Sequence, residues 1–260
     1  MKNRGAHLFL PAIMAFLWWC EAPACLAQEL KTGYYPEGQL RYKGYFADGK
    51  PVGELLRYYP EGNVKARMNH RGDTVAVTFY SRSGEYTTIG TYVGRRKTGI
   101  WKYAKGDVLL AEEEYRDDKL EGISKRYGKD GEVLEQKCWK NEQPEGEWLL
   151  FYENGKLRLQ GFYLAGKLEG LLKTYSPEGK LRTKGIYKDN LKEGEWEYYD
   201  WEGRLDRKVV YHAGIPEHAE ERELEESRKL DSLIHSGGKI PDPAHFTDDP
   251  EAYMKLSGME

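Results

Sequence analysis

Cysteine is scarce in this sequence, and most of it lies at one end. Of the 3 cysteines, two fall within the first 25 residues, so Cys138 stands alone in the rest of the chain. A lone cysteine forms no internal disulfide, and the fold must therefore be stabilised by packing. We interpret Cys138, which follows the alternating pattern of a predicted strand next to Trp139, as a small buried side chain rather than a catalytic thiol.

Sequence motifs of catalysis are also missing. The chain contains no Gly-x-Ser-x-Gly elbow, no phosphate loop, no His-Glu-x-x-His pair and no paired cysteines. None of its scattered histidines has a metal-ligand partner at a usual spacing, namely His70, His212, His218, His235 and His245. We therefore predict a protein that is not an enzyme and that needs no cofactor or metal. A pair of carboxylates brought together from separate strands, as in glycosidases, is left open.

The chain has no strong bias of charge. It carries 40 basic and 43 acidic residues, a formal net charge of −3, which argues against binding to nucleic acid or another bulk polyanion. Tyrosine and glycine are abundant instead, with 20 and 29 copies. Together with many charged residues, this composition favours short strands and tight turns over disorder.

Residues 1–27 have the pattern of a secretory signal peptide. Lys2 and Arg4 precede an apolar segment, Leu8 to Trp19, that is too short to span a bilayer comfortably. Small residues follow up to Ala27, so we predict cleavage there and a protein exported to the periplasm or cell surface. After cleavage no membrane-spanning segment is expected. An uncleaved anchor and a lipoprotein acylated at Cys25 are the alternatives.

The rest of the chain repeats a unit of 22 to 24 residues. A fixed period of this size indicates a repeat architecture. Eight units begin at Glu29, Gly53, Val75, Gly99, Gly122, Gly146, Gly170 and Gly194. A turn glycine follows nine residues after seven of these starts, whereas Gly106 of the fourth unit arrives two residues early and predicts a shorter hairpin. Each unit therefore has two short strands joined by a turn.

Apolar residues recur at three fixed places in the unit, and we predict that each set stacks from unit to unit in the core. The first set lies five residues into the unit: Tyr34, Tyr58, Tyr80, Tyr127, Phe151, Tyr175 and Tyr199. The second lies eight residues after the turn glycine: Phe46, His70, Tyr92, Trp139, Tyr163, Tyr187 and Tyr211. The third follows the turn directly: Leu40, Val64, Tyr86, Val108, Val133, Leu157, Leu181 and Leu205.

The unit pattern Gly-x-Trp-x-x-Tyr-Tyr-x-x-Gly-x-Leu, followed by Tyr and Gly-x-x-x-Gly, resembles the MORN repeat. Its clearest copy runs from Gly194 to Tyr199, and the resemblance covers about residues 29–214. It is closer to the longer bacterial variant of the YwqK-type antitoxin family. The third unit departs most, with Val75 and Val77 at the glycine and tryptophan positions. The resemblance implies an all-β fold, an elongated antiparallel meander of about eight stacked hairpins that serves as a binding surface.

The composition changes after the repeats. We predict a signal peptide over 1–27, a repeat array over 28–214, a capping helix over 215–238 and a disordered acidic tail over 239–260. The helix should run from Glu217 to His235, begin at Pro216, and dock on the last hairpin through Leu230, Leu233 and Ile234. Residues 215–260 carry 12 acidic and 5 basic side chains. Edge capping and solvation, or a regulatory contact with the array, would both explain this charge.

Adjacent aromatic residues give the predicted binding site. Because neighbours on a strand point to opposite faces, Tyr34, Tyr58, Phe151 and Tyr199 should pack inside while their partners face outward. The expected ligand-binding residues are Tyr35, Tyr59, Tyr152 and Trp201. The leading functional hypothesis is a non-catalytic exported scaffold that binds a protein partner. A cell-wall or glycan-binding module and an antitoxin or immunity protein are the alternatives.

Overall fold

The structure, a computed structural model, describes residues 27–217 and 221–235. The predicted tail over 239–260, and all of the predicted signal peptide except residue 27, lie outside these ranges. Nearly all of the described chain forms strands: β1 (Glu29–Tyr34), β2 (Leu40–Ala47), β3 (Lys50–Tyr58), β4 (Val64–Arg71), β5 (Thr74–Tyr80), β6 (Tyr86–Val93), β7 (Arg96–Lys105), β8 (Val108–Arg116), β9 (Lys119–Tyr127), β10 (Val133–Lys140), β11 (Gln143–Phe151), β12 (Leu157–Leu164), β13 (Lys167–Leu168), β14 (Gly170–Tyr175), β15 (Leu181–Lys188), β16 (Leu191–Tyr199), β17 (Leu205–His212) and β18 (Ile215–Pro216). One helix follows, α1 (Glu221–His235).

The strands form one open antiparallel sheet in which each strand pairs with the next along the chain, except that the short β13 and then β14 both pair with β12. The all-β meander of eight hairpins predicted from the sequence is therefore confirmed. Most hairpins have a five-residue loop, but Lys105 pairs with Val108 across a loop of two residues. This is the fourth unit, where the early Gly106 predicted a shorter connection.

The glycine that begins a unit allows the sheet to bend. Gly53, Gly99 and Gly194 have positive φ angles of 62°, 66° and 67°, and the pairing with the preceding strand shifts register beside each of them. Such bulges strengthen the local twist of a strand. The third unit begins with Val75, for which positive φ is costly, and its strand β5 pairs with β4 without a shift. The replacement of the unit glycine by Val75 thus goes with the absence of a bulge at the start of the third unit.

The turns between units are tight and are supported by the glutamate that precedes the unit glycine. Two-residue turns with positive φ at both positions, such as Asp189–Asn190, fit the twist of the flanking strands. The backbone N–H of Asp189 donates to Glu169 Oε2 at 2.9 Å, and that of Ala213 donates to Glu193 Oε2 at 2.8 Å. The recurring Glu-Gly pair therefore joins the start of one unit to the turn that ends it.

The core lies on one face of the sheet, which we call the aromatic face. Its centre is a tryptophan two residues after the unit glycine, Trp101, Trp148 or Trp196, each with no exposed surface. Tyrosines of the second predicted set surround these rings, and Tyr187 and Tyr211 lie 5.3 and 6.1 Å from Trp196 between ring centroids. Stacking of the second set is thus confirmed in the later units, where Trp139, Tyr163, Tyr187 and Tyr211 are buried.

The predicted burial of the first set is wrong. Tyr34 is 58% exposed, and Tyr199 is only partly buried whereas its neighbour Tyr198 is buried in the core. Alternation counted from the tryptophan explains the burial of Tyr198, because positions two and four of the unit share the aromatic face, and the strand pairing then shifts register between Tyr198 and Tyr199. The third set is also mostly peripheral, and Leu205 and Val108 are exposed.

The helix packs on the aromatic face of the last units. Leu230 is buried in the same cluster as Trp196 and Tyr211, and Ile234 packs against that cluster. Docking through these two residues agrees with the prediction. The predicted start is wrong, because Pro216 belongs to β18, pairs with Tyr211 and extends the array beyond residue 214.

A glycine on the aromatic face gives a sharp test of the packing. A Cβ atom at Gly185 would lie 2.1 Å from the Trp196 ring, so Gly185→Ala must push the ring out of its place. We expect a loss of about 3 kcal/mol in the free energy of unfolding, measured by urea denaturation.

Gly161→Ala is the matched control. Gly161 pairs with Trp148 within the sixth unit, which precedes the unit of Gly185. A Cβ atom at Gly161 would be 3.5 Å from the Trp148 ring, which is ordinary contact. This variant should stay within about 1 kcal/mol of the parent. Equal losses for the two variants would contradict the described ring positions.

A candidate binding cleft and an exposed apolar row

Lysine side chains are buried among the rings of the aromatic face. The Nζ atom of Lys97 lies 4.5 Å from the Trp101 ring centroid, and that of Lys192 lies 4.6 Å from the Trp196 centroid. In the fifth unit Lys137 Nζ is 3.1 Å from Glu135 Oε1 and 5.3 Å from the Trp148 centroid. Buried cations of this kind are stabilised by the negative faces of aromatic rings. The sequence analysis missed these residues.

Lys192 also connects the array to the helix. Its Nζ donates to Ser227 Oγ of α1 at 2.7 Å and to Tyr198 Oη at 3.2 Å. Burial, followed by the negative charge of Asp231 on the same helix, raises the pKa of Tyr187. The helix is thus held by apolar contacts and by polar contacts with the ring cluster. An opening remains beside α1 on the aromatic face.

This opening is a cleft of about 590 Å³. It lies between α1 and the ends of the last three hairpins that carry the five-residue loops, which we call the first-turn ends. Tyr152, Tyr175, Tyr199 and Trp201 contribute rings to its wall, and Lys229 and Leu230 of α1 close one side. Burial raises the pKa of Tyr175, and a hydrogen bond with Glu197 raises that of Tyr199, so both hydroxyls keep their protons at neutral pH. The cleft therefore offers rings and hydroxyl groups.

Cations outnumber acids in the wall of the cleft. The cationic members are Arg158, Arg182, Arg207, Lys192 and Lys229, against the acids Asp200 and Asp206. Both acids are already paired, Asp206 with Arg207 at 2.9 Å and Asp200 with Arg204 at 2.9 Å. Lys229 is likewise paired, with Glu225 at 2.8 Å, so Arg158 and Arg182 are the members of the wall that could receive an anionic group.

The four predicted ligand-binding residues do not form one site. Tyr152 and Trp201 line the cleft, and Trp201 is 73% exposed as expected. Tyr35 and Tyr59 belong to the first two units, and the expected exposure of Tyr59 is wrong because only 2% of its surface is accessible. Ligand binding by these residues stays a prediction.

Three of these tyrosines have a shared structural contact. The hydroxyl groups of Tyr35, Tyr59 and Tyr152 donate to a backbone carbonyl in the following unit, those of Tyr58, Tyr80 and Tyr175, at 2.7, 2.9 and 2.7 Å. The donor is always the sixth residue after the start of its unit, where alternation returns the side chain to the aromatic face. This position connects neighbouring hairpins, and the regular spacing of the second tyrosine in each pair was the signal for it.

The opposite face, which we call the outer face, carries an exposed apolar row. Ile100, Ile123, Phe162, Leu171 and Ile186 are 41 to 55% exposed. They lie at one level across the sheet, because each occupies the same cross-strand pair of its hairpin. In chain order these pairs are Ile100–Glu114, Ile123–Cys138, Glu147–Phe162 and Leu171–Ile186. Cys138 is half-buried in this row and is not a core residue, and burial raises the pKa of its thiol.

The described residues contain no cluster of metal-ligating side chains. No group of three or more histidine, cysteine, aspartate or glutamate side chains there could hold a metal ion. His70 is partly buried at its place in the second set, and burial lowers its pKa. No helix within residues 27–217 and 221–235 is long and apolar enough to cross a membrane.

Comparison with known families agrees with the hairpin geometry. Residues 30–48, 51–71, 144–165 and 168–189 match the family model of the MORN repeat variant. The chain is a MORN-like repeat protein. No curated protein matches it significantly. The matches fall in the first, second, sixth and seventh units, and the structure shows an antiparallel hairpin in each of the four units between and after them, with a shorter loop in the fourth.

Tyrosine hydroxyls of this MORN-like array can be tested without removing their rings. Tyr59→Phe removes the donor to the Tyr80 carbonyl from a side chain that is only 2% exposed, and we expect a loss of about 1–2 kcal/mol in the free energy of unfolding. Tyr35→Phe removes the same kind of bond from a side chain that is less buried than Tyr59, so it should cost about 0.5 kcal/mol. Urea denaturation compares the two. Equal, small losses would show that the hydrogen bond of Tyr59 contributes no more than that of the less buried Tyr35.

Proposed function

We propose that this protein is a non-catalytic, exported scaffold that binds a protein partner along the apolar row of its outer face. The observation that carries the proposal is the alignment of Ile100, Ile123, Phe162, Leu171 and Ile186 at one level of the sheet. Aligned exposed apolar side chains are typical of recognition surfaces. MORN repeats also favour a scaffold over an enzyme.

The length of the row suits a helical partner segment. The row crosses from β7 to β15, and neighbouring strands are about 4.8 Å apart, so it extends over roughly 30 Å. A helix of about twenty residues has this length. Its side chains, one turn apart, would meet successive strands of the array, and its apolar positions would lie over the apolar members of the row.

Charge within the row indicates which helix would fit. Glu114 and Glu147 are exposed at the level of the row and form no ion pair with the described residues. Two lysines beside the row are already matched, as Lys102 Nζ is 2.9 Å from Glu112 and Lys184 Nζ is 3.3 Å from Glu197. A partner helix with basic residues beside its apolar stripe is therefore favoured.

Export is supported by the segment from Lys2 to Ala27, with its basic start and short apolar core. Intact mass of the protein recovered from the cell envelope tests this part, since cleavage after Ala27 leaves Gln28 as the first residue. A retained leader or an acylated Cys25 would contradict it. Glycan binding and the antitoxin role stay predictions.

A triple variant tests the binding surface. Phe162→Ser, Leu171→Ser and Ile186→Ser together remove the longest run of the row, and each side chain would contribute about 1 kcal/mol on burial. Partners are first identified by photo-crosslinking from position 171 in intact cells, and the purified partner is then titrated. We expect its Kd to rise about 100-fold in the triple variant.

The control removes exposed apolar groups outside the row. Leu164 and Leu191 are exposed at the turns, and Leu164→Ser with Leu191→Ser should leave the Kd within about twofold. Both variants should keep the thermal midpoint, because exposed substitutions change stability little. Loss of binding in the control, or none in the triple variant, would overturn the assignment of the surface.

A further inference from the structure

We infer that the cleft beside α1 is a docking site for the chain's own acidic segment, residues 239–260. This inference does not rest on the outer row, which lies on the opposite face of the sheet. It explains two properties of the cleft together, its two arginines without an ion pair among the described residues and its exposed tryptophan.

Two arginines carry the charge argument. Arg158 and Arg182 line the cleft, and neither forms an ion pair with a described residue. Arg158 instead lies over the ring of Tyr152, with its guanidinium carbon 5.5 Å from the ring centroid. A guanidinium group held over a ring presents its N–H donors in a plane that matches a carboxylate. These arginines could therefore bind the carboxylates of acidic side chains.

The exposed ring carries the second argument. Trp201 is 73% exposed, whereas the other described tryptophans, Trp101, Trp139, Trp148 and Trp196, are at most 9% exposed. It stands at the same wall as Tyr152 and Tyr199. A ligand for this cleft should bring an apolar or aromatic group as well as carboxylates.

Residues 239–260 contain both kinds of group. Their five acidic residues outnumber two lysines, and aromatic residues stand among the acids: Asp242, Phe246, Asp248, Asp249, Glu251, Tyr253 and Glu260. The charge of this segment is opposite to that of the cleft.

The segment also starts close to the cleft. Leu230 lines the cleft, and α1 ends at His235, five residues or about 8 Å further along the helix axis. From there to Asp242 an extended chain spans up to roughly 25 Å, and to Glu251 up to roughly 55 Å. A covalent tether of this length gives an effective concentration in the millimolar range, so weak contacts are enough for docking.

Quenching of Trp201 fluorescence by acrylamide measures whether the cleft is covered. The difference between the full chain and its Trp201→Phe variant isolates the signal of this ring. Neutralising the segment with Asp242→Asn, Asp248→Asn, Asp249→Asn and Glu251→Gln should raise the quenching constant of Trp201 about twofold. In the parent chain, raising the salt from 0.05 to 0.5 M should have the same effect, because screening weakens the pairing.

The control changes the same charges elsewhere. Glu37, Asp48, Asp107 and Asp130 are exposed on loops of the array, and Glu37→Gln with the three Asp→Asn changes should leave Trp201 quenching unchanged. Arg158→Gln with Arg182→Gln should match the effect of the neutral segment, and combining both sets should add nothing further. Independent, additive effects would overturn the inference.

Two further measurements distinguish this docking from other ways of protecting Trp201 from acrylamide. A synthetic peptide of residues 239–260 should restore protection when added to the neutralised chain, and a peptide with its acids replaced by amides should not. Protection in the parent should be independent of protein concentration. Protection that rises with concentration would place the segment of a second copy in the cleft and overturn docking within one chain. Unchanged quenching in the neutralised chain would overturn docking altogether.

Discussion

The packing of one aromatic ring against the next hairpin is the constraint on which this structure depends. A single sheet has no second layer to cover it, and a hairpin alone is marginal in water. The rings of the aromatic face must therefore be buried by neighbouring units of the same sheet. Gly185 shows how close the strands come, since any side chain there would occupy the place of the Trp196 ring. The bulges at the unit glycines give the sheet the twist that this burial needs.

Charged groups take part in the same packing. Lys97 and Lys192 lie over tryptophan rings, and Glu113 accepts hydrogen bonds from the hydroxyls of Tyr103 and Tyr115 at 2.9 and 2.7 Å. Each buried charge thus has a ring or a hydroxyl beside it, which offsets the cost of removing it from water. At the end of the array, Ser227 of α1 extends this pattern to the helix through Lys192. The helix is therefore part of the last units.

The two faces of the sheet consequently have different surroundings. The aromatic face is largely filled by its own rings and by α1, and it keeps an opening only where the helix leaves the first-turn ends uncovered. The outer face has no layer on it in the described residues, and its apolar row at the level of Leu171 and Ile186 is accessible. Binding of a partner to this MORN-like protein would leave the packing that stabilises the repeats undisturbed.

The sequence by itself determined the repeat, the eight hairpins and the positions of the turns, because glycine spacing and alternation are local properties. It also indicated the buried set of Tyr163, Tyr187 and Tyr211. Which of two adjacent rings faces the core was decided only by the tertiary structure, as Tyr59 and Tyr198 show. Register at the bulges and the approach of the next unit fix that choice, and neither can be read from one strand. The cleft depends on where α1 docks, and the outer row depends on the pairing of distant strands.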